Sequence, residues 1–291
     1  MSKISIRFYS DKQVRAIWNE NLNTWYFSVL DVISAIRNEA DYKKVRNYWK
    51  YLKAKLKKDN HQLGSNTTQL KLEASDGKKY KSDMLDAKEI VMLAKEFSTN
   101  QGVKFLEWFV DSTNSLDGKS KQKAYNLFDS NVLDTLEIGS IKGLQQIHSY
   151  IFDGLYEFAK QIRTKNISKG DFMFANADYL LSTLKKIEKM PESSFDEIIE
   201  KYVEMNIAHP FMEGNGRATR IWLDLILKKS ISKCVDWSKV DKTTYLNAMR
   251  ESVNDSKKIK DLLKSALTIK VNDRELFMKG IDYSYYYEEN N

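Results

Sequence analysis

The chain has 291 residues, of which 42% are hydrophobic and 30% are charged. This length suits two domains of ordinary size, and the composition predicts a soluble chain that buries hydrophobic cores. A single cysteine, Cys234, excludes an intrachain disulfide and favours a reducing compartment. No stretch approaches the roughly 20 apolar residues that span a bilayer, and the first residues lack the apolar segment of a signal peptide. We therefore expect a cytoplasmic protein with no membrane partner.

The net charge of +7 is distributed unevenly along the chain. Residues 1–120 carry six of the seven net positive charges, and a stretch from Ser115 to Gln122 combines Gly, Ser, Asp and Lys without apolar periodicity. Such a stretch is typical of a linker. We therefore predict two domains, residues 1–115 and 121–291, and consider a nucleic-acid partner for the first one only.

The first domain has the pattern of an α+β fold. Ile4, Ile6 and Phe8 alternate with polar residues, which is the period of a half-buried strand. Arg15–Trp18 and Trp25–Phe27 flank a turn rich in asparagine. Two such stretches around a turn predict a β-hairpin.

A second hairpin and a basic helix complete the pattern of this domain. Leu70 and Leu72 precede Asp76-Gly77, which is a strong hairpin signal. A helix is predicted over residues 41–58, since its apolar residues fall on one stripe while lysines and an arginine fill the other faces. The stripe consists of Val45, Trp49, Leu52 and Leu56.

The second domain shows helical periodicity almost throughout. The predicted helices are near 121–134, 140–160, 175–189, 194–206, 217–229, 242–252, 257–267 and 273–288. The pattern breaks at residues 163–174, where a short hairpin or an extended loop is expected. The predicted fold class is therefore multidomain, with an N-terminal α+β domain and an all-α C-terminal domain.

The stretch from His209 to Arg220 carries most of the chemistry that the sequence predicts. It reads His-Pro-Phe-Met-Glu-Gly-Asn-Gly-Arg-Ala-Thr-Arg and joins two helical patterns. Glycines at a helix N-terminus expose backbone N–H groups, which together with the helix dipole favour an anion such as phosphate. Arg217 and Arg220 are one turn apart and can each neutralise a phosphate. Glu213 can hold Mg²⁺, and His209 is a candidate general base.

This stretch fills every fixed position of the pattern His-x-Phe-x-x-Gly-Asn-Gly-Arg-x-x-Arg. On this motif the chain resembles the Fic family, and the resemblance extends over about residues 121–291. It implies an all-α Fic fold with a short β-hairpin flap, and a protein adenylyltransferase that moves AMP from ATP to a hydroxyl of a target protein. The alternative is a purely structural turn between two core helices.

The resemblance also implies a role for each motif residue. His209 would deprotonate the target hydroxyl, and Glu213 would hold Mg²⁺ on the phosphates of ATP. The predicted phosphate-binding residues are Gly214, Asn215, Gly216, Arg217 and Arg220. Asn215 and the neighbouring backbone would hold the α-phosphate region, Arg217 the β-phosphate and Arg220 the γ-phosphate. The flap, which would pair with the target backbone as a β-strand, consists of Asn166, Ile167, Ser168, Lys169 and Gly170.

The C-terminal residues resemble the inhibitory helix of some Fic proteins, whose pattern is Ser/Thr-x-x-x-Glu-Gly/Asn. Ser284 and Glu288 match this pattern, whereas Glu289 departs from it. In such proteins the glutamate pairs with the second arginine of the motif, here Arg220, so that this arginine cannot bind the γ-phosphate. The resemblance therefore implies an enzyme that is inhibited by its own C-terminus; a solvated tail is the alternative.

The N-terminal domain resembles the Bro-N domain of phage antirepressors and related bacterial proteins. The similar stretches are Trp25–Ile33, Arg46–Trp49 and Leu70–Leu72, within about residues 3–112. The resemblance implies DNA binding, in which the basic helix 41–58 would contact phosphates. A solvated basic face is the alternative.

Two other functions stay open at this point. The chain could be a DNA-binding regulator whose Fic module is inactive, or a transferase that uses another nucleotide or a phosphocholine donor. Some relatives in the family form oligomers, so the resemblance also leaves room for a homo-oligomer.

Overall fold

The structure is a computed structural model that describes residues 4–59, 61–65, 67–74, 77–97, 100–130 and 132–289. The contacts within the chain divide it into two compact units, residues 1–115 and 116–290. Among the described residues, no helix combines the length and the apolar character that crossing a bilayer requires.

The first unit contains a five-stranded sheet in the order β1-β2-β3-β5-β4, in which every neighbouring pair is antiparallel. Its strands are β1 (Ile4–Tyr9), β2 (Lys12–Asn19), β3 (Thr24–Ser28), β4 (Thr68–Glu73) and β5 (Lys79–Asp86). Both predicted hairpins are confirmed. Trp18 pairs with Trp25 in the first, and Leu70 pairs with Ser82 in the second. Asp76 of the second turn lies outside the described residues.

Within the described residues of this unit, five helices accompany the sheet. They are α1 (Val29–Arg37), α2 (Tyr42–Lys58), α3 (Gln62–Ser65), α4 (Ala87–Lys95) and α5 (Asn100–Asn114). The predicted helix is α2, and its apolar stripe is buried in the core of the unit. The sequence did not predict α1, because four of its nine residues are β-branched, a type that favours strands. Even Asp31 of α1 is buried, where it forms an ion pair with Arg15 at 2.6 Å.

The second unit is mainly helical. Its helices are α6 (Leu116–Asp129), α7 (Ile141–Phe152), α8 (Ala177–Glu188), α9 (Phe195–Ala208), α10 (Asn215–Ile231), α11 (Lys242–Glu251), α12 (Lys257–Ser265) and α13 (Arg274–Tyr286). Two short antiparallel pairs join them, β6 (Ser168–Lys169) with β7 (Phe172–Met173), and β8 (Cys234–Val235) with β9 (Leu267–Thr268).

Two sequence predictions need correction in this unit. The prediction of a linker from Ser115 to Gln122 is wrong, because α6 already begins at Leu116. The polar composition of this stretch reflects the mostly exposed first turns of α6 rather than a flexible segment. The helix predicted over residues 140–160 ends at Phe152, and the chain then turns through Gly154, which has a φ of +71°.

The central helix α10 organises the second unit. Apolar side chains cover most of its circumference, and Trp222, Leu223 and Ile226 are fully buried. It packs against α7, α9 and α13. Because the body of α10 is fixed in this way, its N-terminus and the preceding loop are held in a defined position.

Candidate active site

The loop between α9 and α10 contains the predicted motif. Helix α9 ends at Ala208, and His209 follows in the left-handed conformation with a φ of +49°. The buried side chain of Asn215 then closes the loop. Its Oδ1 accepts a hydrogen bond from the N–H of Phe211 at 2.8 Å, and its Nδ2 donates to the carbonyl of Phe211 at 2.7 Å. The Asn215 side chain therefore stabilises the loop conformation, and the phosphate contact of this residue stays a prediction.

Of the two glycines of the motif, Gly214 is required by its backbone conformation and its surroundings, whereas Gly216 is closely approached by a flexible side chain. Gly214 precedes α10 with a φ of +79°, and a Cβ there would lie 2.3 Å from the ring of Phe152. At Gly216 a Cβ would lie 2.0 Å from Oε1 of Glu288. No side chain among the described residues caps the N-terminus of α10. Its first N–H groups and its dipole therefore suit an anion.

Arg217 is the first of two buried arginines in α10. Its Nη2 donates to Oε1 of Glu213 at 2.8 Å, and its Nη1 donates to the carboxylate of Asp117. The rings of Phe152 and Tyr285 lie 5.1 Å and 5.3 Å from the guanidinium carbon. Its Nε is buried and has no hydrogen-bond partner within the part of the chain that the structure describes. A buried donor of this kind suits an anionic ligand.

Arg220 is bound by residues at the C-terminal end of the chain. Its Nε donates to Oγ of Ser284 at 2.8 Å, and its Nη2 donates to the Ser284 carbonyl at 2.7 Å. The same Nη2 lies 2.5 Å from Oε1 of Glu288. The other carboxylate oxygen of Glu288 lies 3.7 Å from Nζ of Lys169. The structure thus brings Ser284 and Glu288 onto the second arginine of the motif.

Glu288 occupies a different local structure from the predicted one. Helix α13 ends at Tyr286, and Glu288 lies in the following turn, where its N–H donates to the carbonyl of Tyr285 at 3.0 Å. Burial acts to raise the pKa of Glu288, but the charge of Arg220 outweighs it and lowers this pKa to about 2. Glu288 is therefore ionised throughout the physiological pH range.

The imidazole of His209 is neutral and held in place. It stacks on the ring of Phe174 at 3.7 Å between centroids and 17° between planes. Its Nδ1 lies 3.3 Å from the carbonyl of Asn206, which can only accept, so Nδ1 carries the proton and Nε2 is free to act as a base. Burial lowers the pKa of His209 to about 4.

The predicted flap is a two-stranded hairpin whose base is attached to the motif loop. Lys169 pairs with Phe172 in β6 and β7, with Gly170 in the turn at a φ of +59°. Ser168 pairs with Met173. Before the hairpin, the Ile167 carbonyl accepts from the N–H of Phe174 at 3.3 Å, and Oδ1 of Asn166 accepts from the N–H of Ala177 at 2.8 Å.

Arg163 links this hairpin to the motif, a role that the sequence did not reveal. Its buried guanidinium donates to the His209 carbonyl at 2.7 Å, to the Lys165 carbonyl at 2.7 Å and to the Ala208 carbonyl at 3.0 Å. It also donates to the carbonyl of Ala175. One side chain therefore fixes both ends of the hairpin to the backbone around the candidate base.

His148 supports the loop from the other side. The N–H of Lys160 donates to its Nδ1 at 2.9 Å, so in the neutral ring Nε2 donates to the carbonyl of Glu213, also at 2.9 Å. The ring stacks on Phe211 at 3.9 Å between centroids. Burial lowers the pKa of His148 to about 4, which keeps it neutral. His148 thus positions the backbone of the predicted metal ligand.

Comparisons with known proteins agree with the motif. Residues 139–227 match the model of the Fic/DOC family. The chain is similar to a probable protein adenylyltransferase, y4lH, of Sinorhizobium fredii, with 27% identity over 140 residues that cover 43% of this chain and 72% of the relative. It is also similar to the protein adenylyltransferase VbhT of Bartonella schoenbuchensis, with 29% identity over 122 residues that cover 38% of this chain.

The match to VbhT spans only 25% of that protein. Among solved structures, the chain is similar to the BepC protein of Bartonella tribocorum with bound AMPPNP, at 19% identity and a TM-score of 0.44. This match covers 58% of this chain and 90% of the other. A second similar structure is the N-terminal FIC domain of Bep8 from Bartonella sp. 1-1C, at 16% identity and a TM-score of 0.48, covering 56% of this chain and 88% of the other.

Proposed function

We propose that the Fic domain of this chain is a protein adenylyltransferase, which transfers AMP from ATP to a hydroxyl group of a target protein. The observation that carries this proposal is the segment His209–Arg220, which comprises the loop and the first turns of α10. It gathers a neutral imidazole, an uncapped helix N-terminus and two buried guanidinium groups. The names of two similar proteins, which are called protein adenylyltransferases, support it.

The reaction is an in-line displacement at the α-phosphorus of ATP. Nε2 of His209 accepts the proton of the target hydroxyl as its oxygen forms a bond to the α-phosphorus. The bond from that phosphorus to the bridging oxygen breaks, and pyrophosphate leaves. The N–H groups at the start of α10 and the two arginines hold the phosphates and neutralise charge, so positioning and electrostatics supply the catalysis.

The loop also suits Mg²⁺. Glu213 presents a half-exposed carboxylate beside the proposed phosphate site, and Mg²⁺ prefers one or two carboxylates together with phosphate oxygens. When bound, the ion would shield the phosphate charges. Glu213 would hold it, and the hydrogen bond from His148 would keep the backbone of Glu213 in place.

We further propose that the hairpin of residues 166–170 docks the target. Ser168 and Lys169 are exposed, and an exposed strand edge can pair with an extended segment of another protein. Arg163 holds the base of the hairpin close to His209, so a hydroxyl on the docked segment would be carried towards the base.

The C-terminus acts as an inhibitor in this proposal. Ser284 and Glu288 occupy the donors of Arg220 that a γ-phosphate needs. The ionised carboxylate would also repel that phosphate. ATP would then bind weakly or with its α-phosphate out of line, and the wild-type enzyme would be mostly inactive.

A donor screen tests the proposed reaction. The Glu288→Gly variant is incubated with candidate acceptor proteins and with ATP labelled in the α- or the γ-phosphate, with other nucleotides, or with a choline-linked nucleotide. We expect protein-bound label from the α-phosphate only. Label from another donor would assign a different transferase activity. Absence of any transfer would favour a regulator with an inactive Fic module.

A second candidate function concerns the first unit, which we propose binds DNA. The register of β4 and β5 sets Lys71 directly opposite Lys81. On the same face, Asp83 pairs with Lys53 of α2 at 2.9 Å. Like charges that face each other across strands are destabilising, and a bound polyanion would offset this repulsion.

The DNA hypothesis is tested in the full chain by mobility shift at several salt concentrations. Replacing Lys71 and Lys81 by glutamate should weaken binding. It should also reduce the slope of the logarithm of the binding constant against the logarithm of the salt concentration by about 2, roughly one per lost phosphate contact. The exposed Lys257 provides a control substitution in the second unit. No binding by the wild-type chain, or equal binding by both variants, would refute the hypothesis.

A further inference from the structure

Asp117 lies near the N-terminus of α6 and contacts the first arginine of the motif. Its carboxylate accepts a hydrogen bond from Nη1 of Arg217. The side chain of Asp117 is 60% exposed, whereas that of Arg217 is 4% exposed. The acid therefore reaches from the surface onto a buried cation, beside the carboxylate of Glu213 that binds the other end of the same guanidinium.

Helix α6 is attached to α13 by buried polar contacts. The hydroxyl of Tyr285 donates to Oγ of Ser120 at 2.9 Å. Lys121 forms an ion pair with the fully buried Asp282 at 2.7 Å, and the hydroxyl of Tyr125 donates to Asp282 as well. These contacts hold α6 against α13.

This helix pair carries a carboxylate for each arginine of the motif. Asp117 of α6 pairs with Arg217, and Glu288, which follows α13, pairs with Arg220. Two buried guanidinium groups one turn apart repel each other, and the two carboxylates offset that repulsion. ATP would have to replace both of them with phosphate oxygens.

We infer that Asp117 is a second inhibitory carboxylate, which competes with the β-phosphate of a nucleoside di- or triphosphate for Arg217. The inference rests on the proposed function for the assignment of Arg217 to the β-phosphate. Because Asp117 is largely exposed, it can turn into water at little cost, and exposed ion pairs contribute little free energy. Its effect is therefore smaller than that of Glu288, whose side chain is 25% exposed.

Calorimetric binding of nucleotides to full-length variants tests this inference without requiring turnover. In a Glu288→Gly background, Asp117→Asn removes the charge and keeps the shape. We expect ADP to bind about three- to fivefold more tightly, a factor that corresponds to the roughly 1 kcal/mol upper range of an exposed ion pair. AMP, which has no β-phosphate, should bind with unchanged affinity.

Asp129→Asn is the matched control, because Asp129 is another carboxylate of α6 that pairs with Arg274 of α13. Equal ADP affinities for the Asp117 and Asp129 variants would overturn the inference. So would weaker ADP binding with a higher Mg²⁺ requirement, which would make Asp117 a metal ligand. If ADP binding tightens but Glu288→Gly transfers no AMP, only the proposed function fails. If AMP is transferred and ADP affinity is unchanged, only this inference fails.

Discussion

Replacing Glu288 by glutamine should release Arg220 for the γ-phosphate. Glutamine keeps nearly the same size and can still accept a hydrogen bond, so the substitution tests the charge of the ion pair rather than the packing of the turn. In the wild-type chain, Oε1 of Glu288 lies 2.5 Å from Nη2 of Arg220, and the two side chains are 25% and 3% exposed.

The lowered pKa of Glu288 gives the scale of the effect. This pKa falls from its usual value of 4.5 to about 2, and a pKa change of one corresponds to about 1.36 kcal/mol. The ionised carboxylate is thus stabilised at this position by about 3 kcal/mol, which is roughly a hundredfold in an equilibrium constant. ATP competes against this free energy, so Glu288→Gln should tighten ATP binding by up to about a hundredfold.

Equilibrium binding of ATP and ADP measures this effect directly. Glu289→Gln is the control, because it removes a neighbouring exposed carboxylate. ATP affinity should rise strongly for Glu288→Gln and stay near the wild-type value for Glu289→Gln. ADP, which lacks the γ-phosphate, should gain less. Equal ATP affinities for the two variants would refute an inhibitory role of Glu288.

Three further predictions concern the loop and its supports. Because the pKa of His209 is lowered to about 4, its base form persists on acidification. The kcat/KM of the Glu288→Gly variant should therefore stay level from pH 7 to about 5 and fall near pH 4. A decline centred at pH 6.5 would contradict this. Gly214→Ala should lower Tm by several degrees, at about 2–4 °C per kcal/mol, because its Cβ would meet Phe152. Gly170 also has a positive φ, but a Cβ there would meet no atom within 4 Å. Gly170→Ala should therefore lower Tm less. His148→Phe keeps the ring stacking but leaves two partly buried backbone groups without their partner, at up to about 1–3 kcal/mol each. It should destabilise the chain in thermal melts and reduce AMP transfer, and an unchanged Tm would argue against its positioning role.

Much of the candidate site could be predicted because its determinants are local. The helices on either side of the motif follow from their own periodicity, and the loop conformation follows from glycines within the motif. The contact of Glu288 with Arg220 agrees with the pairing that the resemblance implies. The hairpins of the first unit were predictable for the same reason, since turn residues and alternating strands lie close together in the sequence.

The features that sequence reasoning missed depend on distant contacts. Asp117 is 100 positions from Arg217, and the polar composition around it suggested a linker rather than a helix. Arg163 resembles any surface arginine until the fold brings four backbone carbonyls around it. Helix α1 depends on its packing, since seven of its nine residues are buried although four are β-branched, a type that favours strands.

The central claim is His209-dependent transfer of AMP to a protein hydroxyl. Its most direct test is peptide mass spectrometry of acceptor proteins after incubation with ATP and the Glu288→Gly variant, in parallel with the same variant that also carries His209→Ala. We predict one added AMP on a serine, threonine or tyrosine side chain with the first protein and none with the second. Unmodified acceptors in both samples, or modification that persists without His209, would contradict the claim.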